Sequence, residues 1–253
     1  MKRSSGVRVA ATVAVSALSL ALVTGCGGES GTSDAKALSA AELKKAIIAD
    51  GDVEGYKVDG SGKQLPSKDQ IKSTDEQCRP LAYAMGGLPP GDAAAGAAAM
   101  AKQETKRPTA NASKPVDELS ESEIEDSITD AMDMTLTVVG LSSYDGAGAE
   151  ETFKSVSDAV KNCSEGFPLV MQGEDQKPTA VTPEKGSGTG DESIAFVVKS
   201  DLEDGDVGTT HVEVVRHGST IATYYTMNLG LMMTDKAYKV PAAVIDAQAA
   251  KLK

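Results

Sequence analysis

The 253-residue chain has no tryptophan, three phenylalanines, two histidines and three cysteines. Aromatic residues make up 4% of it, which argues against a stacking site for sugars or nucleobases. Tyr224, Tyr225 and Tyr238 can still line a cleft, although core or edge packing is their commoner use. His211 and His217 are the whole histidine supply, both on one hairpin, and no His-Glu-x-x-His run exists. A histidine-based hydrolase or metal cluster therefore has little to build on. Cations are also in deficit: 25 Lys and Arg stand against 37 Asp and Glu. Such a chain repels nucleic acid and anionic headgroups, and neither is expected as a partner. The uncharged, mostly apolar run Val9–Val23 has 15 residues, short of the roughly 20 that a membrane-spanning helix needs.

What is there begins with that run. Lys2, Arg3 and Arg8 precede it, and small residues follow it up to Cys26, the order of a bacterial secretory signal. Leu22-Val23-Thr24-Gly25-Cys26 resembles the lipobox of bacterial lipoproteins. The resemblance implies cleavage before Cys26, a diacylglycerol thioether on its sulfur and acylation of the new amine. The alternative is an ordinary secretory peptide with Cys26 a plain thiol. Three parts are expected: a signal peptide over 1–25, a lipidated cysteine and Gly/Ser-rich tether over 26–37, and a domain over 38–253. Removing the 25 leader residues leaves 228, and losing their three cations moves the charge from −12 to −15. Attachment to a membrane must then come from the acyl chains on Cys26, at about 0.8 kcal/mol per buried methylene. Lipidation of Cys26 leaves Cys78 and Cys163, which in an oxidising compartment are expected to join; two free buried thiols are the alternative.

Ser39-Ala40-Ala41-Glu42 matches a capping box opening a short helix with Leu43, Ala46 and Ile47 on one face. Tyr56–Val58 reads as a strand, followed by a polar loop to Thr74. Cys78 opens a second helix that ends by Gly86-Gly87, and the alanine-rich Ala93–Gln103 is expected to be helical. Glu104–Asp117 is a loop in composition. Between Asp117 and Glu151 there are eleven acidic residues and no lysine or arginine. The part from Asp117 to Asp133 is either a solvated face or a docking surface for a basic partner.

Met132–Tyr144 alternates as a strand, and Ala147–Cys163 is an amphipathic helix with Phe153, Val156, Ala159, Val160 and Cys163 on its apolar face. Phe167–Val181 supplies one or two strands with a turn at Gly173. Ile194–Lys199 and Thr209–Arg216 are strands, His217-Gly218 a two-residue turn and Ser219–Met227 the return strand, so that Val214 would face Ile221 and Val212 Thr223. Pro241–Leu252 closes the chain as a helix with Val244, Ile245, Ala249 and Leu252 packed. The order is α+β, an antiparallel sheet with helices on it.

His211, Glu213 and His217 share one face of a strand, but about 20 Å separates the two imidazoles, so no single metal ion reaches both. The acidic loop from Asp201 lacks calcium-loop spacing, and Gly60-Ser61-Gly62-Lys63 and Gly186-Ser187-Gly188 lack the context of phosphate or nucleophile loops. No catalytic or metal residue and no cofactor is assigned.

Cys78-Arg79-Pro80-Leu81, Ser143-Tyr144 before the Phe153–Cys163 helix, the hairpin Val212–Ile221 and the final helix together resemble the PknH-type extracellular sensor domain. That family comprises actinobacterial transmembrane kinases and free lipoproteins built on the same module. The resemblance implies an α+β sheet with a cleft for an extracellular ligand. The family carries two disulfides, and this chain supplies the cysteines for one. The expected role is a membrane-anchored extracytoplasmic lipoprotein that binds a small ligand or envelope component and is not an enzyme. The alternatives are a scaffold with an acidic surface, or a hydrolase using two carboxylates in a cleft.

Overall fold

In the computed structural model, described over residues 35–104, 120, 124, 129, 132–202, 205–234 and 236–252, the local signals at Ser39 and Glu42 act first. The Ser39 backbone N–H donates to Glu42 Oε2 at 2.8 Å and the Glu42 N–H to Ser39 Oγ at 3.4 Å. These bonds satisfy donors that the first helical turn leaves orphaned, and α1 follows over Ala40–Ala46. Three further helices lie among the described residues: α2 (Arg79–Met85), α3 (Gly148–Asn162) and α4 (Ala242–Ala250). The strands are β1 (Tyr56–Asp59), β2 (Ile71–Lys72), β3 (Ala95–Gln103), β4 (Thr135–Ser143), β5 (Leu169–Met171), β6 (Glu174–Glu184), β7 (Glu192–Asp201), β8 (Val207–His217) and β9 (Thr220–Asn228). They form one sheet in the order β1-β3-β4-β9-β8-β7-β6-β5-β2, every neighbouring pair antiparallel.

Helices cover both faces. On the first, α2 and α3 pack Leu81, Phe153, Val156 and Val160 against Phe196, Val212 and Val214. Cys78, at the N-cap of α2, and Cys163, at the C-cap of α3, are joined by a disulfide with a Cα–Cα distance of 5.9 Å. On the second face, α1 and α4 bring Leu43, Val244 and Ile245 onto Ala99, Val139 and Tyr224. The fully buried Gln248 of α4 donates from Nε2 to Ala46 O at 2.9 Å and accepts from Ile48 N–H at 3.0 Å. A buried amide is tolerated there because its donor and one acceptor position are used.

Three expectations are corrected. Ala93–Gln103 is a strand, β3 beginning at Ala95, rather than a helix. Its backbone groups pair with β4 on one side and β1 on the other, and Ala99 and Ala101 are fully buried. Alanine favours a helix only weakly, and a methyl fits the narrow space between sheet and helix, so tertiary pairing overrides propensity. The expected polar loop to Thr74 contains a 3-10 turn (Lys68–Gln70) and β2, which pairs with β5. The hairpin turn is Gly218-Ser219, with His217 still paired to Thr220. Gly218 takes φ +58°, and a two-residue turn with positive φ at its first position needs glycine there, which excludes histidine. Val214 therefore faces Thr223 and Val212 faces Tyr225. Moving the turn by one position slides the pairing by two, so each side chain keeps its face.

Candidate functional site

Neighbouring strands put their paired residues in rows across the second face. One row runs Glu184 (β6), Ala195 (β7), Glu213 (β8) and Tyr224 (β9); the next runs Thr182, Val197, His211 and Thr226. Strands lie about 4.8 Å apart, so Glu184 and Glu213 stand roughly two spacings from one another with only the methyl of Ala195 between them. A cavity of about 130 Å³ opens there. Glu184, Glu213 and Ala195 line it from the sheet, the loop Lys185–Ser187 from one side, and Lys239, Val240, Ala242 and Ile245 from the other.

The polar groups around it are held in place. Glu213 is 4% exposed; its Oε1 accepts from the Ser187 N–H at 2.8 Å and from the Ser187 hydroxyl at 2.5 Å. Gly186 lets the loop come this close, since a Cβ there would sit 3.1 Å from Ser193 Oγ and 3.3 Å from Glu213 Oε1. His211 Nδ1 and Glu184 Oε1 share a hydrogen bond of 2.9 Å. The Tyr238 ring meets the imidazole edge-on with centroids 4.5 Å apart, and its hydroxyl donates to Thr209 O. Burial pushes the Tyr238 hydroxyl up to about 12. Tyr224, fully buried beside Glu213, has a hydroxyl with no hydrogen-bond partner among the described residues. Burial first, and the Glu213 charge second, push its ionisation far above the usual tyrosine range.

Other concavities are built differently. A groove of about 260 Å³ on the first-face side is lined by Leu65, Pro66, Leu88, Pro89, Gly96 and Ala98, with no charged side chain. Two more, of about 310 and 320 Å³, take their charged lining from side chains that are exposed, Glu174, Asp175 and Lys177 in one and Asp50, Lys57 and Asp59 in the other. At the Glu184–Glu213 cavity Lys185, Ser187 and Lys239 are exposed too, but Glu213 is buried and Glu184 half-buried. The cavity is smaller than the roughly 300 Å³ at which pockets for drug-sized ligands begin.

Of the residues singled out by sequence, Cys26 and most of the acidic segment 117–133 lie outside the described residues, as do 203 and 204 of the acidic loop. His211 and Glu213 do share a face, yet each is taken by a different partner. His217 is at the far end of β8, and its Nε2 is buried without a partner among the described residues. Gly186-Ser187-Gly188, read as a plain loop, proves to be the clamp on Glu213. The available signal was a glutamate inside the apolar run Val212–Val215.

No protein-family model and no curated protein matches this sequence. Among solved structures, the chain is similar to the extracellular domain of PknH from Mycobacterium tuberculosis, with a TM-score of 0.47 and 11% identity, over 86% of this chain and 95% of that one.

Proposed function

We propose that this chain is an extracytoplasmic lipoprotein whose α+β domain binds a small ligand and is held to the membrane by acyl groups on Cys26. The observation that carries the reading is the fate of the cysteines. The Cys78–Cys163 bond uses two of three, and both are 1% exposed. Buried disulfides belong to oxidising compartments. The cysteine left over is the one behind a basic start and an apolar run. No helix among the described residues is long and apolar enough to cross a membrane, so attachment by lipid suits them. Ligand binding is supported by the cavity between Glu184 and Glu213.

The anchor is tested by growing cells with an alkyne-tagged palmitate and comparing the wild type with Cys26→Ala. The expected outcome is label on the wild type alone, with the variant either unprocessed or released. A Cys26→Ala protein that stays processed and membrane-bound sinks the lipoprotein reading. A carboxylate hydrolase is the second reading, favoured by two glutamates on one cavity. It requires that Glu184→Gln and Glu213→Gln each abolish turnover of some ester or glycoside by the wild type.

A further inference from the structure

Within the binding reading just given, on which this inference rests, we propose that the Glu184–Glu213 cavity takes a small zwitterionic amino acid, of the size of glycine or alanine. Its ammonium would lie against Glu213 and its carboxylate against the start of α4. Glu213 is a buried carboxylate that forms no ion pair with any described residue. Ser187 occupies Oε1 alone, and Oε2 is not among the sealed, unpartnered atoms, so it is open to the cavity that Glu213 lines. Buried charge persists where a counter-charge meets it, and here the cavity is where one can enter. An ammonium brings the positive charge and three donors to a site whose sheet side offers acceptors.

The opposite wall carries the other sign. Helix α4 starts at Ala242, which lines the cavity, and its N-cap is Pro241, which supplies no side-chain hydrogen bond. The Ala242 and Ala243 N–H groups have no acceptor among the described residues. A helix start with free N–H groups favours a carboxylate. Lys239 adds an exposed cation on this wall and Lys185 one from the loop beside Glu213, and neither forms an ion pair among the described residues. Negative and positive walls on one cavity fit a molecule that carries both charges. Val240 and Ile245 supply the apolar surface for a methyl group. At about 130 Å³ the cavity is close to the roughly 150 Å³ that takes benzene, which suits a molecule of this size.

The test is isothermal titration of the mature chain, purified from membranes in detergent, with glycine, L-alanine and D-alanine. Propionate and ethylamine, each lacking one charge, and phenylalanine, which is too large, serve as comparators. Glycine or either alanine is expected to bind at least tenfold more tightly than all three comparators. Glu213→Gln keeps shape and the Ser187 bonds and is expected to lower that affinity at least tenfold. Ala195→Val, which fills the cavity floor without touching charge, is expected to abolish it. Circular dichroism of both variants confirms that they fold. Absence of binding by all three amino acids overturns the proposal. So does ethylamine or propionate binding as tightly as alanine, or affinity unchanged in both folded variants. Should the chain instead capture a different envelope molecule, this inference fails while the binding reading stands; the palmitate experiment judges the anchor separately.

Discussion

On the first face of the sheet, α2 and α3 press Leu81, Val156, Val160 and Phe196 into an apolar layer with a disulfide across the helix ends. On the second, α1 and α4 cover part of the sheet, and the buried set includes Thr137, His211, Glu213, Thr226 and Gln248. Hydrophobic contact carries the first face and needs no directional partner. The second has an apolar cluster too, and adds hydrogen bonds between buried polar groups: Thr137 to Thr226 at 2.9 Å, Gln248 to Ala46 and Ile48, Ser187 to Glu213. Polar groups committed in this way leave space between them where apolar side chains would have closed it. The two faces thus differ in kind: one is closed by apolar side chains and a disulfide, and the other also encloses hydrogen-bonded polar groups and a cavity.

The comparison can be broken most strongly at the disulfide. Cys163→Ala is expected to lower stability by about 2–5 kcal/mol, read from urea unfolding followed by circular dichroism, and to leave localisation unchanged. An unchanged midpoint would mean that the apolar layer alone holds the first face. Alkali attacks the same face next. Tyr144 packs there, its hydroxyl donating to Pro90 O and lying 3.2 Å from Ser142 Oγ, and burial pushes its ionisation up from 10.0 to about 12. Because the folded value lies above the unfolded one, this stabilisation is complete below pH 10 and is lost as pH rises through about 12. At about 1.4 kcal/mol per unit, roughly 2–3 kcal/mol is at stake. Tyr144→Phe should flatten the decline of the thermal midpoint above pH 10. The smallest effect belongs to the second face. Gln248→Ala strands the Ile48 N–H and Ala46 carbonyl and is expected to cost about 1–3 kcal/mol. Faster amide exchange at Ile48, with Val156 unaffected, would separate the two faces directly.

Legibility in the sequence followed side-chain information. The Ser39–Glu42 box and the Phe153–Val156–Val160 stripe placed α1 and α3, because a cap and a 3.6-residue period are local properties. β3 was misread because alanine and glycine carry too little side chain to reveal a period of two. The hairpin was found and its turn missed by one residue, since His217 and Gly218 differ in what positive φ demands of them. The candidate site was hardly legible. Ser187 and Glu213 lie 26 positions apart, and the pairing that joins them arises only when β6, β7 and β8 are in register. In the sequence Glu213 stands out only as a partner for the two histidines, one of which is at the other end of the strand.

The Gln248 bridge also bears on the order in which the molecule can assemble. It ties residues 200 positions apart, so the first helix acquires its partner only with the last. The centre of the sheet has the same property: β4 pairs along its whole length with β9, and Ser143 and Thr220 at their ends are neighbours in space. A nascent chain that has emerged as far as β4 therefore holds a strand that has β3 on one side but whose other mate does not yet exist. Such long-range pairing folds slowly. Under the export proposed above, late closure would be useful, because the fold would complete only after almost the entire chain had passed to the far side.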